Sequence, residues 1–388
     1  MAVIAEQVLE RAMAQREALT DLVRSLVEAE SPSTEPYVHV TARRIFENAL
    51  QDVGFMVRDT GPNGEHRHVY ARPANRQRGK PNQLLIGHYD TVWPIGTLAE
   101  RPFRVNGNTM HGPGVFDMKG GLAQIVLALR ILDELGLEPP LTPVVFVNSD
   151  EEIGSRTSTH YVRMLARRAE RAFVLEPAMG ELGTIKTSRK GIGRFTVTVH
   201  GKAAHAGLDP EGGASAILEL SHVIQSLFAL NDPEKGITVN VGTIDGGIHA
   251  NVIAPHSEAV ADVRVPTVAD GEYIHKAIHS IEPATPGVRL HIEGAIGRPA
   301  MEATPRNQQL WLQAQDIGRT LGLELEHAQA GGGSDGNTTS QFTATLDGLG
   351  AVGDGAHAIH EHLNIDQTLE RVALLAMLLM SEPAGGTA

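Results

Sequence analysis

Residues 83–90 read QLLIGHYD, a short apolar run that ends in a histidine and an aspartate. From this point the chain alternates such runs (83–88, 144–148 and 172–175) with amphipathic helical stretches at 121–135 and 155–168. That rhythm predicts parallel strands joined by crossover helices, hence an α/β architecture with a mostly parallel sheet. Each run ends in polar residues.

The texture changes after about residue 187. In GRFTVTVH (193–200), Phe195, Val197 and Val199 alternate with Thr196, Thr198 and His200. AVADVRV (259–265) alternates likewise, with Asp262 and Arg264 on the face opposite Ala261 and Val263. Strict alternation marks antiparallel strands covered on one face. With helices expected at 212–230 and 275–281, residues 187–297 form an inserted α+β domain, and 1–186 with 298–388 form the discontinuous main domain. The tail returns to α/β texture, with a helix at 307–321, a strand at 323–327, a glycine-rich loop at 331–336 and a last helix at 369–379. Residues 1–30 read as one amphipathic helix, with Val8, Leu9, Met13, Leu19, Leu22, Val23, Leu26 and Val27 at helical spacing. They lack the uninterrupted apolar region of a secretion signal, and no stretch has the ~18 apolar residues of a membrane span. The expectation is a soluble cytoplasmic protein that binds neither membrane nor nucleic acid.

Composition narrows the chemistry. The 388 residues carry 33 Lys and Arg against 46 Asp and Glu, a net charge of −13, with 18 His and no Cys. An acidic chain lacks the basic footprint of a nucleic-acid binder. Without cysteine there is no disulfide framework, thiolate zinc site, iron–sulfur cluster or cysteine nucleophile, so any metal is held by histidine and carboxylates.

Such ligands occur at or beyond the ends of predicted strands. His88 and Asp90 lie on one side of an extended chain, so one can ligate and the other support it from behind. Asp117 follows a glycine-rich turn from His111 and precedes a helix. Ser149-Asp150-Glu151-Glu152 and Leu175-Glu176-Pro177 complete the set. Alone, a His-x-Asp reads as a turn and a Glu-Glu pair as a solvated helix start. Together, on the strand ends of one parallel sheet, they converge on one crevice.

The segments LLIGHYDTV (84–92), GPGVFDMKGG (112–121), NSDEEIGS (148–155), VLEP (174–177), GKAAHAG (201–207), GGGSDG (331–336) and GDGAHAIHE (353–361) resemble, in order, the di-zinc metallopeptidases. That family includes carboxypeptidase G, acetylornithine deacetylase, succinyl-diaminopimelate desuccinylase and aminoacylase, and the chain is most similar to the carboxypeptidase G branch. The resemblance implies two zinc ions per subunit, with cobalt or manganese as substitutes. His88 and Glu176 would serve one ion, Glu152 the other, and Asp117 would bridge both. The last ligand would be His357, four residues before Glu361, with His360 as its rival. Glu151 would be the general base, and Asp90 would orient His88.

The same resemblance makes the inserted domain a lid and dimerisation domain, whose His205 reaches the partner subunit's site to stabilise the oxyanion. Arg264, on the outward face of its strand, is the candidate grip for a substrate carboxylate. Asn251 and the loop containing Gly333 and Ser334 are further candidate contacts. The expected reaction is amide hydrolysis releasing a C-terminal amino acid, glutamate or similar, from a small substrate with a free carboxylate. N-acyl amino acid deacylation is the alternative, and a catalytically silent zinc-binding scaffold is a third reading.

Overall fold

The structure, a computed structural model, describes residues 2–61 and 66–383. Its contacts divide the chain into two compact units. The first comprises Met1–Ser188, Ala303–Ala330 and Ser334–Ala388, and the second Arg189–Glu302 with Gly331–Gly333.

The first unit is built on a six-stranded sheet in the order Phe55–Thr60, His68–Pro73, Thr142–Asn148, Asn82–His88, Ala169–Val174, Ala344–Leu346. The last four strands run parallel, and the first two are added antiparallel. Both faces are covered. Leu85, Val145 and Phe173 pack under the helices Gly120–Glu134 and Ile365–Met380, while Leu84, Ile86, Val144, Phe146 and Ala172 pack against the helix Thr159–Ala166. A two-residue period therefore places consecutive residues in different cores, which is why these strands read as unbroken apolar runs. Gly121 permits the closest approach in this layer, since a Cβ there would meet the carbonyl oxygen of Leu175 at 2.1 Å. That contact sets the start of the helix, and with it Asp117, against the strand end that carries Glu176.

Three expectations change. The N-terminal stretch forms two helices, Ala2–Met13 and Arg16–Glu28, each with its own buried stripe: Ala5, Val8 and Ala12, then Leu19, Val23, Leu26 and Val27. The break at residues 14–15 lets the Arg16 guanidinium reach Asn108, Asp366 and the carbonyl of Gly107. Residues 323–326 form no strand, because Leu325 packs onto Gly318 of the preceding helix; the ladder begins only at His327–Ala330. Within the loop expected at 331–336, Asp335–Thr339 opens a short helix capped by Ser334. No described helix is long and apolar enough to cross a membrane.

The second unit is a four-stranded antiparallel sheet in the order Thr238–Gly246, His256–Val265, Gly191–His200, Arg289–Arg298. Phe195, Val197, Ala261 and Val263 are buried in a common core with Val223 and Leu227 of the helix Ala216–Phe228 and Ile274 and Ile278 of the helix Val268–His279. Both helices begin where hydroxyls cap them: Ser215 accepts the Leu218 N–H and Thr267 the Asp270 N–H.

Candidate metal centre

His88 is the last residue of its strand and is almost wholly buried. Its Nδ1–H donates to the backbone carbonyl of Asp90 at 2.9 Å, so in the neutral ring the Nε2 lone pair points the other way. There Nε2 lies 3.3 Å from Asp117 Oδ1 and 3.5 Å from Glu176 Oε1. On the opposite side, Nε2 of His357 lies 3.4 Å from Asp117 Oδ2 and 3.0 Å from Glu152 Oε2. The Asp117 carboxylate thus stands between two imidazoles and offers one oxygen to each. Ligand atoms of His88, Asp117 and Glu152 lie within 4.8 Å of one another, as do those of His88, Glu151 and Glu176.

Three buried acids hold this arrangement from behind. Asp90 Oδ1 accepts the N–H of Glu151 and Oδ2 that of Glu152, each at 3.2 Å, and Oδ2 also accepts the Ser33 hydroxyl at 2.7 Å. Asp90 therefore orders the Glu151-Glu152 backbone as well as the His88 ring. Glu361 Oε1 accepts the N–H groups of Phe116 and Asp117, and Oε2 those of Gly114 and the Trp93 indole. Asp335 accepts Asn148 Nδ2 at 2.5 Å and the Ser155 hydroxyl at 2.7 Å, bracing the 149–155 loop. The sequence singled out Glu361 only by its spacing from His357 and gave Asp335 no role, since neither makes a contact that spacing reveals.

Electrostatics suit a cation at the centre. Burial works to raise Asp117, but its contacts with His357 and His88 hold it far below the usual carboxylate range. Burial pushes Glu152 up to about 7, with the Asp117 charge adding to the effect. His357 is pushed up to about 10 by its contacts with Asp117 and Glu152, and the three acids around His88 raise it despite its burial. Asp117 Oδ1 is buried without a hydrogen-bond partner. Imidazole nitrogens and carboxylate oxygens are donors of the kind that can hold a divalent cation, for which they supply lone pairs and negative charge.

A cavity of about 390 Å³ opens beside Asp117 and Glu176, lined also by Phe116, Lys186, Asp354 and His360. His360 is thus in the cavity wall, whereas His357 makes the described contacts with Asp117 and Glu152. Lys186 carries no motif and was not singled out from the sequence.

The remaining candidates are placed as follows. Ser334 is buried, donates to Asp347 at 2.5 Å and accepts the Gly336 N–H at 2.9 Å, so its hydroxyl serves the helix cap. His205, Asn251, Arg264 and Gly333 belong to the second unit. There His205 is exposed, its Nδ1 accepting the N–H groups of Gly207 and Leu208, and the carbonyl of Asn251 accepts the N–H of Ala206. Arg264 pairs through Nε and Nη2 with both oxygens of Asp262, at 2.8 and 3.1 Å.

Residues 84–381 match the model of the peptidase family M20/M25/M40. The chain is 30% identical over 376 residues to carboxypeptidase G2 of Pseudomonas sp. (strain RS-16), covering 95% of this chain and 90% of the relative. It is 29% identical over 259 residues to acetylornithine deacetylase of Klebsiella pneumoniae (strain 342), covering 63% of this chain and 64% of the relative. Its fold is similar to that of the YXEP protein of Bacillus subtilis, a dinuclear metal binding peptidase, with a TM-score of 0.69 at 16% identity over 95% of this chain and 98% of the other.

Proposed function

The chain belongs to peptidase family M20/M25/M40, and on that premise we propose that it hydrolyses an amide bond to release a C-terminal amino acid, glutamate or a similar acidic residue. The observation that carries the chemistry is the Asp117 carboxylate between His88 and His357, flanked by Glu176 on one side and Glu152 on the other. The acidic product is inferred from the likeness to carboxypeptidase G2 over nearly the whole chain.

In this reading His88, Asp117 and Glu176 would hold one zinc ion, and Asp117, Glu152 and His357 would hold the second. The ions would polarise the scissile carbonyl and make a water more acidic. Glu151, beside His88 and Glu176 but needed by neither ligand set, takes a proton from the attacking water as its oxygen bonds to the carbonyl carbon. The C–N bond then breaks, and Glu151 passes that proton to the leaving nitrogen. Asp90 keeps Glu151 and Glu152 in register through their N–H groups and positions His88. From the second unit, acting as a lid and a dimer contact, His205 would stabilise the oxyanion of the partner subunit's site. Asn251, Gly333 and Arg264, with the Arg264 guanidinium already oriented by Asp262, would contact the substrate carboxylate.

N-acyl amino acid deacylation is the second reading, favoured by the acetylornithine deacetylase relative. A zinc-supplemented hydrolysis screen separates the two. N-benzoyl- and pteroyl-type glutamates are expected to turn over faster than N-acetyl amino acids. Turnover of acetylated substrates alone would replace the carboxypeptidase reading with deacylation, and no turnover anywhere on a broad amide panel would leave a zinc-binding scaffold.

A further inference from the structure

Within the first unit a separate cavity of about 250 Å³ is lined by five basic side chains, Arg101, Arg104, His111, His360 and His362, and by one acid, Glu361. Three of the bases come from a small antiparallel sheet. Arg104 is the register partner of His111, and His111 that of His362, so the three stand in a row across adjacent strands. Directly opposed residues share a face of the sheet, and like charges so placed destabilise it. Burial, and after it the neighbouring His362 and Arg104, push the His111 imidazole below its ordinary value. Asp354, the register partner of His362 on its other side, ends the row on that face; it lines the neighbouring cavity and not this one.

Glu361, the acid that lines the pocket, is committed elsewhere. Both oxygens of Glu361 accept N–H groups, from Phe116 and Asp117 on one and from Gly114 and Trp93 on the other. Arg101 is fixed from the loop side: its guanidinium lies over the Trp93 ring, 4.3 Å from the centroid, and donates to the carbonyl of Ala358. Its Nη1 is buried without a hydrogen-bond partner. His362 donates from Nδ1 to the carbonyl of His360, which leaves its Nε2 as the other ring contact.

We propose that this pocket binds a small oxyanion, a carboxylate or a phosphate, gripped by Arg104, His111 and His362 on the sheet and by Arg101 from the loop. Guanidinium and imidazole N–H groups make short charge-assisted bonds to such oxygens, and the anion relieves the repulsion along the row. The volume accommodates an amino-acid-sized ligand. His360 lines both this pocket and the cavity beside Asp117, so the bound anion sits one imidazole away from the candidate metal centre. The assignment is independent of the hydrolase reading, because it uses none of the groups that hold metal or move protons.

The test titrates inorganic phosphate and, separately, L-glutamate into the zinc-loaded full chain carrying ¹⁵N-labelled histidine. Binding is followed by calorimetry and by the ring signals of His111 and His362. At least one anion is expected to bind and to shift both rings, with affinity falling tenfold or more in Arg104→Gln and in His111→Gln; which anion binds more tightly identifies its source. Circular dichroism confirms that both variants fold, and since Arg104 is exposed and His111 half-buried, both substitutions spare the core. An anion that merely coordinates the metal would bind both variants as tightly as the parent protein. That result, or no binding of either anion to the parent protein, overturns the proposal.

Discussion

Glu361 Oε1 accepts the backbone N–H of Asp117 at 3.1 Å, so a residue from the C-terminal loop holds the carboxylate that stands between His88 and His357. Replacing Glu361 with Gln turns an acceptor for four N–H groups into a group that carries two donors of its own, leaving buried amides unsatisfied. Glu361→Gln is expected to weaken zinc affinity about 10- to 100-fold, as for other supports behind metal ligands. Competition with a chromophoric chelator reads this directly, and unchanged affinity would remove Glu361 from the support of Asp117.

Glu151 and Glu152 are adjacent in sequence but differ in assigned role. Glu151→Gln is expected to lower kcat by about 10²- to 10⁴-fold while two metal equivalents stay bound. Glu152→Ala is expected to lose about one equivalent. Metal analysis alongside kinetics separates the two, and loss of metal from Glu151→Gln would make Glu151 a ligand instead of the base.

Chelation should abolish turnover, and zinc should restore it. If the Asp117-centred cluster is the metal site, the protein stripped of metal should also melt at a lower temperature, because a ligand that binds only the folded state stabilises it. Differential scanning calorimetry with and without zinc checks this; identical melting curves would place the metal elsewhere or nowhere.

A shared site between subunits makes a prediction of its own. Subunits carrying His205→Ala, mixed with subunits carrying Glu151→Ala, are expected to recover part of the activity that each homogeneous preparation lacks. Exchange is confirmed by native mass spectrometry, and no recovery after confirmed exchange would confine His205 to its own subunit.

His68 is fully buried, with Nε2 at 3.2 Å from the Thr157 hydroxyl and Nδ1 without a partner. Burial lowers its pKa from 6.5 to about 4. Between those values the unfolded chain binds a proton that the folded chain does not, so this contribution is complete above pH 6.5 and is lost as pH falls towards 4. By pH 5 the loss is about 2 kcal/mol. Urea titrations of the zinc-loaded protein at pH 7.5 and 5 should show a drop in stability that is about 2 kcal/mol smaller in His68→Gln. Equal drops would mean that His68 is not held neutral.

Much of the fold was legible because its signals are local. The runs at 83–88, 144–148 and 172–175 appear as neighbouring strands of one sheet, and the alternation at 193–200 and 259–265 appears as paired antiparallel strands. The pairing of Arg264 with Asp262 follows from their common face two residues apart. Sequence pattern and structure part where a local preference meets a tertiary demand, as when Leu325 packs onto a helix instead of extending a strand.

The sequence alone determined the donor types, histidine and carboxylate with no thiol, and the order in which they follow the strands, because apolar periodicity and residue chemistry are written residue by residue. Tertiary structure alone decided which groups share a centre. Asp117 meets His88 and His357 only because chain segments 29 and 240 residues away from it fold back onto it. It decided between His357 and His360 as the neighbour of Glu152 through a loop in which His357 takes a φ of 61°. Glu361, Asp335 and the basic row Arg104–His111–His362 acquire their settings in the same way, since hydrogen bonding and repulsion act over a few ångströms of space whatever the separation along the chain.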